Sequence, residues 1–184
     1  MSRVAAVVLA AGAATRFGAP KQRILLPWVL ARLAASPVDE VVVVEGAYGL
    51  SVDSAQAALR LVHCDDWERG PGASLRCGLA ALDVDVEAAI VVLADGPELS
   101  AEAVERVVRS WRLEGGDLVA ASYAGVRGHP LLVARAAWAG VPVAGLRAID
   151  PRLVPRRVDV AGGPHPARRV TQPGSTGGAG RRRC

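Results

Sequence analysis

Apolar residues fall along this chain in short runs separated by polar and glycine-rich stretches, and the spacing within the runs is of two kinds. Val4–Leu9, Val41–Val44, Leu61–His63, Ala89–Ala94 and Leu118–Ala121 are brief and bounded by loop residues, which predicts strands, several of them buried on both faces. Between them the period lengthens. Val104, Val107, Val108 and Trp111 recur at i, i+3, i+4 and i+7, the apolar stripe of a helix. Ser100 stands where its N-cap belongs, with Glu102 in the first turn, and Ser51 offers a second cap. Pro27 suits the first position of an earlier helix whose apolar face would be Leu30, Leu33 and Ala34. Strands alternating with helices predict an α/β fold with a mainly parallel sheet, in which ligands bind beyond the carboxyl ends of the strands.

Composition adds bounds to this picture. A chain of 184 residues, 51% apolar, is one domain with a substantial core and is not a disordered polymer. Its net charge of +4 is unevenly spread. From Pro151 onward there are eight arginines and one acid, Asp159, whereas residues 1–150 carry 14 basic and 17 acidic side chains. The basic character therefore belongs to residues 151–184, a Gly/Pro/Arg-rich tail expected to be poorly ordered, and the folded domain is assigned to residues 1–150. Nothing interleaves aromatic and basic residues as a single-strand binder would, so no nucleic acid is expected as partner. The start, MSRVAAVVLAAGAA, formally resembles a secretion signal, but its β-rich run leads straight into a small-residue loop and reads as a first strand. No apolar run has the length of a membrane span. Cys64, Cys77 and Cys184 are widely spaced and odd in number and form neither a disulfide framework nor a CxxC pattern, which predicts a reducing, cytoplasmic location.

Candidate chemistry gathers at two predicted strand ends. After the first strand come Leu9, Ala10, Ala11, Gly12, Ala13, Ala14, Thr15 and Arg16, and then Lys21, the only lysine in the chain. Small residues let a backbone approach a ligand closely, and successive N–H groups can form an anion nest. Arg16 adds a guanidinium fork and Lys21 a compact point charge, both suited to phosphate. Neither GxxxxGK[ST] nor GxGxxG is present, and on these residues alone the stretch reads equally as a structural turn or a phosphate loop. After the fourth predicted strand, Asp95 precedes Gly96 and Pro97. It is either a turn acid or, if the two strands are neighbours, a ligand for Mg²⁺ held jointly with substrate phosphates.

Four segments together resemble the MobA-like nucleotidyltransferases, and within them the molybdenum cofactor cytidylyltransferases. They are LAAGAATRFGAPKQ at 9–22, DDWERGPGASLRCGLAAL at 65–82, VVLADGPEL at 91–99 and GVRGHPLLVAR at 125–135. They are similar to the family's LAAGxSxRxGxxKQ, WxxGxxxSLxxGL, ADQPxL and GHP segments, in the same order. The resemblance implies a Rossmann-like sheet of the nucleotide-diphospho-sugar transferase type. It implies Mg²⁺-dependent transfer of CMP from CTP to the phosphate of a molybdopterin-type cofactor, with release of pyrophosphate. The LAAG and KQ forms favour CTP over GTP. Carried over residue by residue, it implies that Leu9, Ala10, Ala11 and Gly12 cradle the triphosphate, that Arg16 and Lys21 neutralise it, that Ser74 lies on the nucleotide side and that Asp95 holds the metal. Arg16, Lys21 and Asp95 would be the catalytic groups.

The same comparison exposes departures. Gly96 stands where the family has a glutamine, Pro71 where a methionine is common, and Val143 where a GDxGxR element has its acid. A later DTPxD-like segment has no counterpart. Two alternatives therefore accompany the leading reading: guanylyl or other nucleotidyl transfer to a different small phosphate acceptor, and a nucleotide-binding protein weakened in catalysis. For the remaining polar residues, Arg76 matches the nucleotide-side segment but also suits a solvated helix face. His129 reads as a turn residue or a site residue, His63 as structural, and Trp67 and Trp138 as core or rim packing.

Overall fold

The structure is a computed structural model and describes residues 2–13, 21–52, 59–96, 99–146 and 156–160, with the backbone alone at 21, 22 and 156. In chain order the elements are β1 (Arg3–Leu9), α1 (Lys21–Ala34), β2 (Glu40–Glu45), β3 (Leu59–His63), α2 (Pro71–Ala80), β4 (Val86–Leu93), α3 (Ala101–Glu114), β5 (Leu118–Tyr123), β6 (Val126–Ala134) and β7 (Arg156–Asp159). Short 3-10 turns at Trp67–Arg69 and Arg135–Gly140 precede α2 and follow β6.

The strands form one sheet in the order β3-β2-β1-β4-β6-β5-β7. Only β6 runs against its neighbours; every other pairing is parallel. Because side chains alternate across a strand, β1 feeds two cores. Val4, Ala6 and Val8 pack with α1 and α3, while Ala5 and Val7 pack with α2. Both faces are thus covered, which explains why β1 and β4 read as continuous apolar runs rather than alternating ones.

Helix α3 follows its sequence pattern closely. Val104, Val107 and Val108 are buried, and the Ser100 hydroxyl accepts the N–H of Ala103 at 3.0 Å as the N-cap. Helix α1 does not. It begins at Lys21, so Pro27 lies inside it rather than opening it, and its buried positions are Leu26, Val29 and Leu33, with Ala34 exposed. An interior proline costs a helix roughly 3 kcal/mol; burying three large aliphatic side chains at roughly 1.5–3 kcal/mol each outweighs it. The helix expected after Ser51 falls in 53–58, outside the described residues.

Three further expectations change. Strand β6 was not foreseen, and it pairs with β5 through a two-residue turn in which Ala124 (φ 48°) and Gly125 (φ 79°) are both left-handed, the geometry of a tight hairpin. Strand β7 lies past the boundary expected at residue 150 and extends the sheet beside β5, with Val160 buried just beyond it. The cysteines are not all free thiols: Cys64 and Cys77 are joined by a disulfide, with Cα atoms 5.9 Å apart. Packing of α2 against the end of β3 brings them together. Pairing is not legible from a spacing of 13 residues alone.

Candidate functional site

Strands β1 and β4 are adjacent and parallel, and Leu9 stands opposite Leu93 in the register. Strands β2 and β3 lie on one side of this pair and β6, β5 and β7 on the other, so the sheet order reverses between β1 and β4. This is the point at which open α/β sheets carry their ligand crevice. The chain leaves β1 and β4 side by side: the Ala94 N–H donates to the Leu9 carbonyl at 3.0 Å. The small-residue loop and Asp95 therefore border one crevice, the condition left open by the sequence.

The loop leans toward β2. The Ala10 N–H donates to the Val44 carbonyl at 2.9 Å, so any cradle of main-chain donors begins beyond Ala10. Ala11 is buried, Gly12 is exposed, and the Ala11 carbonyl accepts the Ala47 N–H at 3.1 Å. The Tyr48 hydroxyl then donates to the Ala13 carbonyl at 3.0 Å. Gly46 is needed here, because a Cβ on it would sit 2.6 Å from the Trp67 ring and 2.9 Å from the Ala11 side chain. Arg16 and the side chain of Lys21 lie outside the described residues; the Lys21 backbone opens α1.

Asp95 is exposed, and its carboxylate has no ion-pair partner among the described residues. Among those residues no group of three or more His, Cys, Asp or Glu side chains is arranged to hold a metal. One accessible carboxylate fits a hard cation that takes its remaining ligands from phosphate oxygens and water.

Helix α2 walls the crevice from the other face. Ser74 is buried near its start, at 4% exposure. Arg76 is occupied otherwise: its Nε and an Nη reach the Val141 carbonyl at 2.8 and 2.5 Å, so its role is to fasten the segment after Trp138. That segment seats on the helix N-terminus, where the Gly72 N–H donates to the Val143 carbonyl at 2.9 Å. At the position where the family carries an acid, the main chain thus caps α2. His63 lies on an edge strand, 3.5 Å from both Glu45 and Asp65. Trp67 and Trp138 pack against the α2-side core, as read from sequence.

A cavity of about 410 Å³ opens on this face between Leu9, Leu75, Leu93 and the start of β6. The residues placing β6 there were not singled out in the sequence, although they lie in or beside the GHP segment. Tyr123 donates its hydroxyl to the His129 carbonyl at 2.7 Å, and Gly128 rests against its ring, where a Cβ would come within 2.8 Å. The His129 Nδ1 lies 3.3 Å from the Val91 carbonyl.

An α/β sheet whose strand order reverses between β1 and β4 defines a fold class, and comparison with known proteins narrows it. The MobA-like NTP transferase domain matches residues 6–150, and this chain belongs to that family. It is a nucleotidyltransferase by family. Sequence comparison with curated proteins finds no match. Among solved structures, the homolog of Mycobacterium tuberculosis rv0371c from Mycobacterium sp. strain JC1 is 28% identical, with a TM-score of 0.70 and 86% of each chain covered. Rv0371C of M. tuberculosis H37Rv in complex with manganese is 22% identical, with a TM-score of 0.67, covering 86% of this chain and 89% of that one. A CMP:2-keto-3-deoxy-manno-octonic acid synthetase complexed with CTP shares the fold at 12% identity and a TM-score of 0.66, over 88% of this chain and 91% of that one. Among the described residues no helix is long and apolar enough to cross a membrane.

Proposed function

We propose that this chain transfers CMP from CTP to the phosphate of a molybdopterin-type cofactor and releases pyrophosphate. The observation that carries the reading is the Leu9–Leu93 register, which sets the small-residue loop beside Asp95. An oxygen of the acceptor phosphate attacks the α-phosphorus of CTP. The bond from that phosphorus to the bridging oxygen breaks, and pyrophosphate departs with the electron pair. The acceptor is already an anion, so no protein group must remove a proton, and catalysis rests on positioning and charge.

In this reading the backbone from Leu9 to Gly12 follows the triphosphate, its donors starting past Ala10. Arg16 and Lys21 offset the charge of the leaving pyrophosphate, and Ser74 supports the nucleotide side from α2. Asp95 would hold Mg²⁺, which when bound offsets charge on the phosphate oxygens. The manganese complex of the M. tuberculosis structure and the CTP complex of the synthetase are in keeping with a divalent cation and a cytidine donor.

The test is thermal melting with CTP, GTP and ATP, with and without Mg²⁺, followed by pyrophosphate release in the presence of molybdopterin. At a hundredfold excess over its dissociation constant, the donor stabilises the fold by about 2.7 kcal/mol. For a chain of this size that is a shift of roughly 5–10 °C. The expected result is a Mg²⁺-dependent shift with CTP and turnover, both lost in Asp95→Asn. Selectivity for GTP moves the donor assignment. Nucleotide binding without pyrophosphate release removes the enzyme reading proposed for this acceptor.

A further inference from the structure

The turn after β2 touches the chain on both sides of residues 14–20. On one side, the Ala47 N–H donates to the Ala11 carbonyl at 3.1 Å and the Tyr48 hydroxyl to the Ala13 carbonyl at 3.0 Å. On the other, an Nη of Arg23, in the first turn of α1, donates to the Gly49 carbonyl at 2.7 Å. The turn itself is closed by the Glu45 carboxylate, which accepts the Leu50 N–H at 2.6 Å. Leu50 is buried in the core that α1 covers, so the turn has a fixed base. Ala47, Tyr48 and Gly49 thus join the loop after β1 to the start of the helix that follows it.

These contacts also orient the backbone. A trans peptide carries its carbonyl and its N–H on opposite sides. The carbonyls of Ala11 and Ala13 are engaged on the β2 side, so neither turns its negative end toward an anion held over β1 and β4. A main-chain cradle binds such an anion best when it is already ordered, because ordering on binding subtracts from affinity. Tyr48 and Arg23 are the two side chains that supply this order. Both are exposed, Tyr48 at 41%, so neither is required to fill the core.

We propose that Tyr48 and Arg23 are positioning residues for the nucleotide donor, fixing the Ala13 backbone and the first turn of α1 relative to each other from one turn. The proposal rests on the nucleotidyl-transfer reading above and deepens it by naming what holds the donor loop in shape. Each residue acts through the main chain it grips, not through the donor itself. The two contacts form a single clasp. Releasing either frees one end of the same stretch, and the second contact then has less left to order. Their effects on donor affinity are therefore less than multiplicative, as for coupled neighbours.

The experiment uses Tyr48→Phe, which removes the hydroxyl alone, Arg23→Gln, which removes the guanidinium, and the two combined. Binding of an α,β-methylene analogue of CTP with Mg²⁺, and of inorganic pyrophosphate, is measured calorimetrically on the full chain. Each single variant is expected to weaken both ligands roughly 3- to 10-fold, the loss of one hydrogen bond. The double variant is expected to lie within about threefold of the weaker single one. A bare loss of charge at Arg23 would instead multiply with Tyr48→Phe. Arg23→Lys keeps a donor for the one Gly49 contact and is expected to recover binding to within about twofold of wild type. Wild-type affinity in either single variant, a double loss equal to the product of the single ones, or an Arg23→Lys variant no tighter than Arg23→Gln overturns the clasp while nucleotide binding persists. A fall in the ligand-free melting temperature without a change in affinity assigns the contacts to folding alone and overturns it as well. A wild-type chain that binds neither probe removes the nucleotidyl-transfer reading, and the clasp with it.

Discussion

Replacing Gly72 by alanine sets two effects of known sign against each other. Alanine is the better helix former by up to about 1 kcal/mol, so on propensity alone the variant would be more stable. Packing says otherwise. A Cβ on Gly72 would lie 1.8 Å from the Pro142 carbonyl oxygen, 2.7 Å from that of Val143 and 2.8 Å from the Gly145 nitrogen. These are main-chain atoms, so no side chain can swing away, and the whole turn must retreat by more than about 1 Å. Retreat breaks the hydrogen bond from Gly72 to Val143, worth about 1 kcal/mol. It also loosens Val141 and Leu146, which are only 2% and 9% exposed. Overpacking of this kind costs roughly 1–3 kcal/mol.

The balance is a net loss of about 2–3 kcal/mol, which lowers the melting temperature by roughly 4–12 °C at 2–4 °C per kcal/mol. Gly49→Ala is the control, because a Cβ there meets nothing within 4 Å. Urea unfolding with an unchanged m-value would show that stability, not the denatured state, has moved. A Gly72→Ala variant as stable as wild type would refute the reasoning, since propensity would then have won and the turn could not be seated on α2 as described.

Three other outcomes follow from buried chemistry. Ser122 is 1% exposed and its hydroxyl has no hydrogen-bond partner among the described residues; Ser122→Ala should therefore raise stability by about 1 kcal/mol, and a fall in melting temperature would count against it. Reducing the Cys64–Cys77 disulfide, or replacing Cys77 by serine, reopens a loop of 13 residues and should cost roughly 3 kcal/mol, read as a lower melting temperature with dithiothreitol; an unchanged value would show the bond to be unimportant for stability. Glu40 is buried at the amino end of β2, where burial raises its pKa despite Arg60 at 3.1 Å. A raised carboxyl pKa in the fold means the native state holds the proton more tightly, so its contribution to stability falls as pH rises from the ordinary glutamate range through the folded value. Glu40→Gln should gain on wild type as pH rises from about 4 to about 7; a gap that moves the other way would contradict the burial argument.

What could be read from the sequence was whatever local pattern dictates. The apolar runs of β1 and β4 and the 3.6-residue stripe of α3 specify their elements within a few residues, because each is buried in the way its pattern implies. Strand β6 escaped because VRGHPLLVA carries Gly128 and Pro130, residues that ordinarily end a strand; Gly128 is required here because a Cβ on it would meet the Tyr123 ring. Strand β7 is four residues with two arginines, and only its place beside β5 makes it a strand. Helix α1 runs through Pro27 because the sheet beneath it rewards Leu26, Val29 and Leu33, a tertiary gain that no helix signal contains.

The site shows the same division in two arginines. Arg76 and Arg127 both lie in segments that resemble the family, and the sequence reading singled out only Arg76. The fold separates them. Arg76 is on the second turn of α2, and its guanidinium is spent on the Val141 carbonyl. Arg127 is on a strand that runs against its neighbours, so it enters the crevice at the carboxyl end of β4, where the cavity begins. Had β6 run parallel to β4, its first residues would lie at the opposite edge of the sheet, near Arg3 and Asp85. The direction of one strand therefore decides which arginine lines the cavity, and that direction follows from the tight turn at Ala124 and Gly125. Lengthening that turn should loosen the cavity wall before it disturbs the loop after β1, because that loop is fastened independently through Val44, Ala47 and Tyr48.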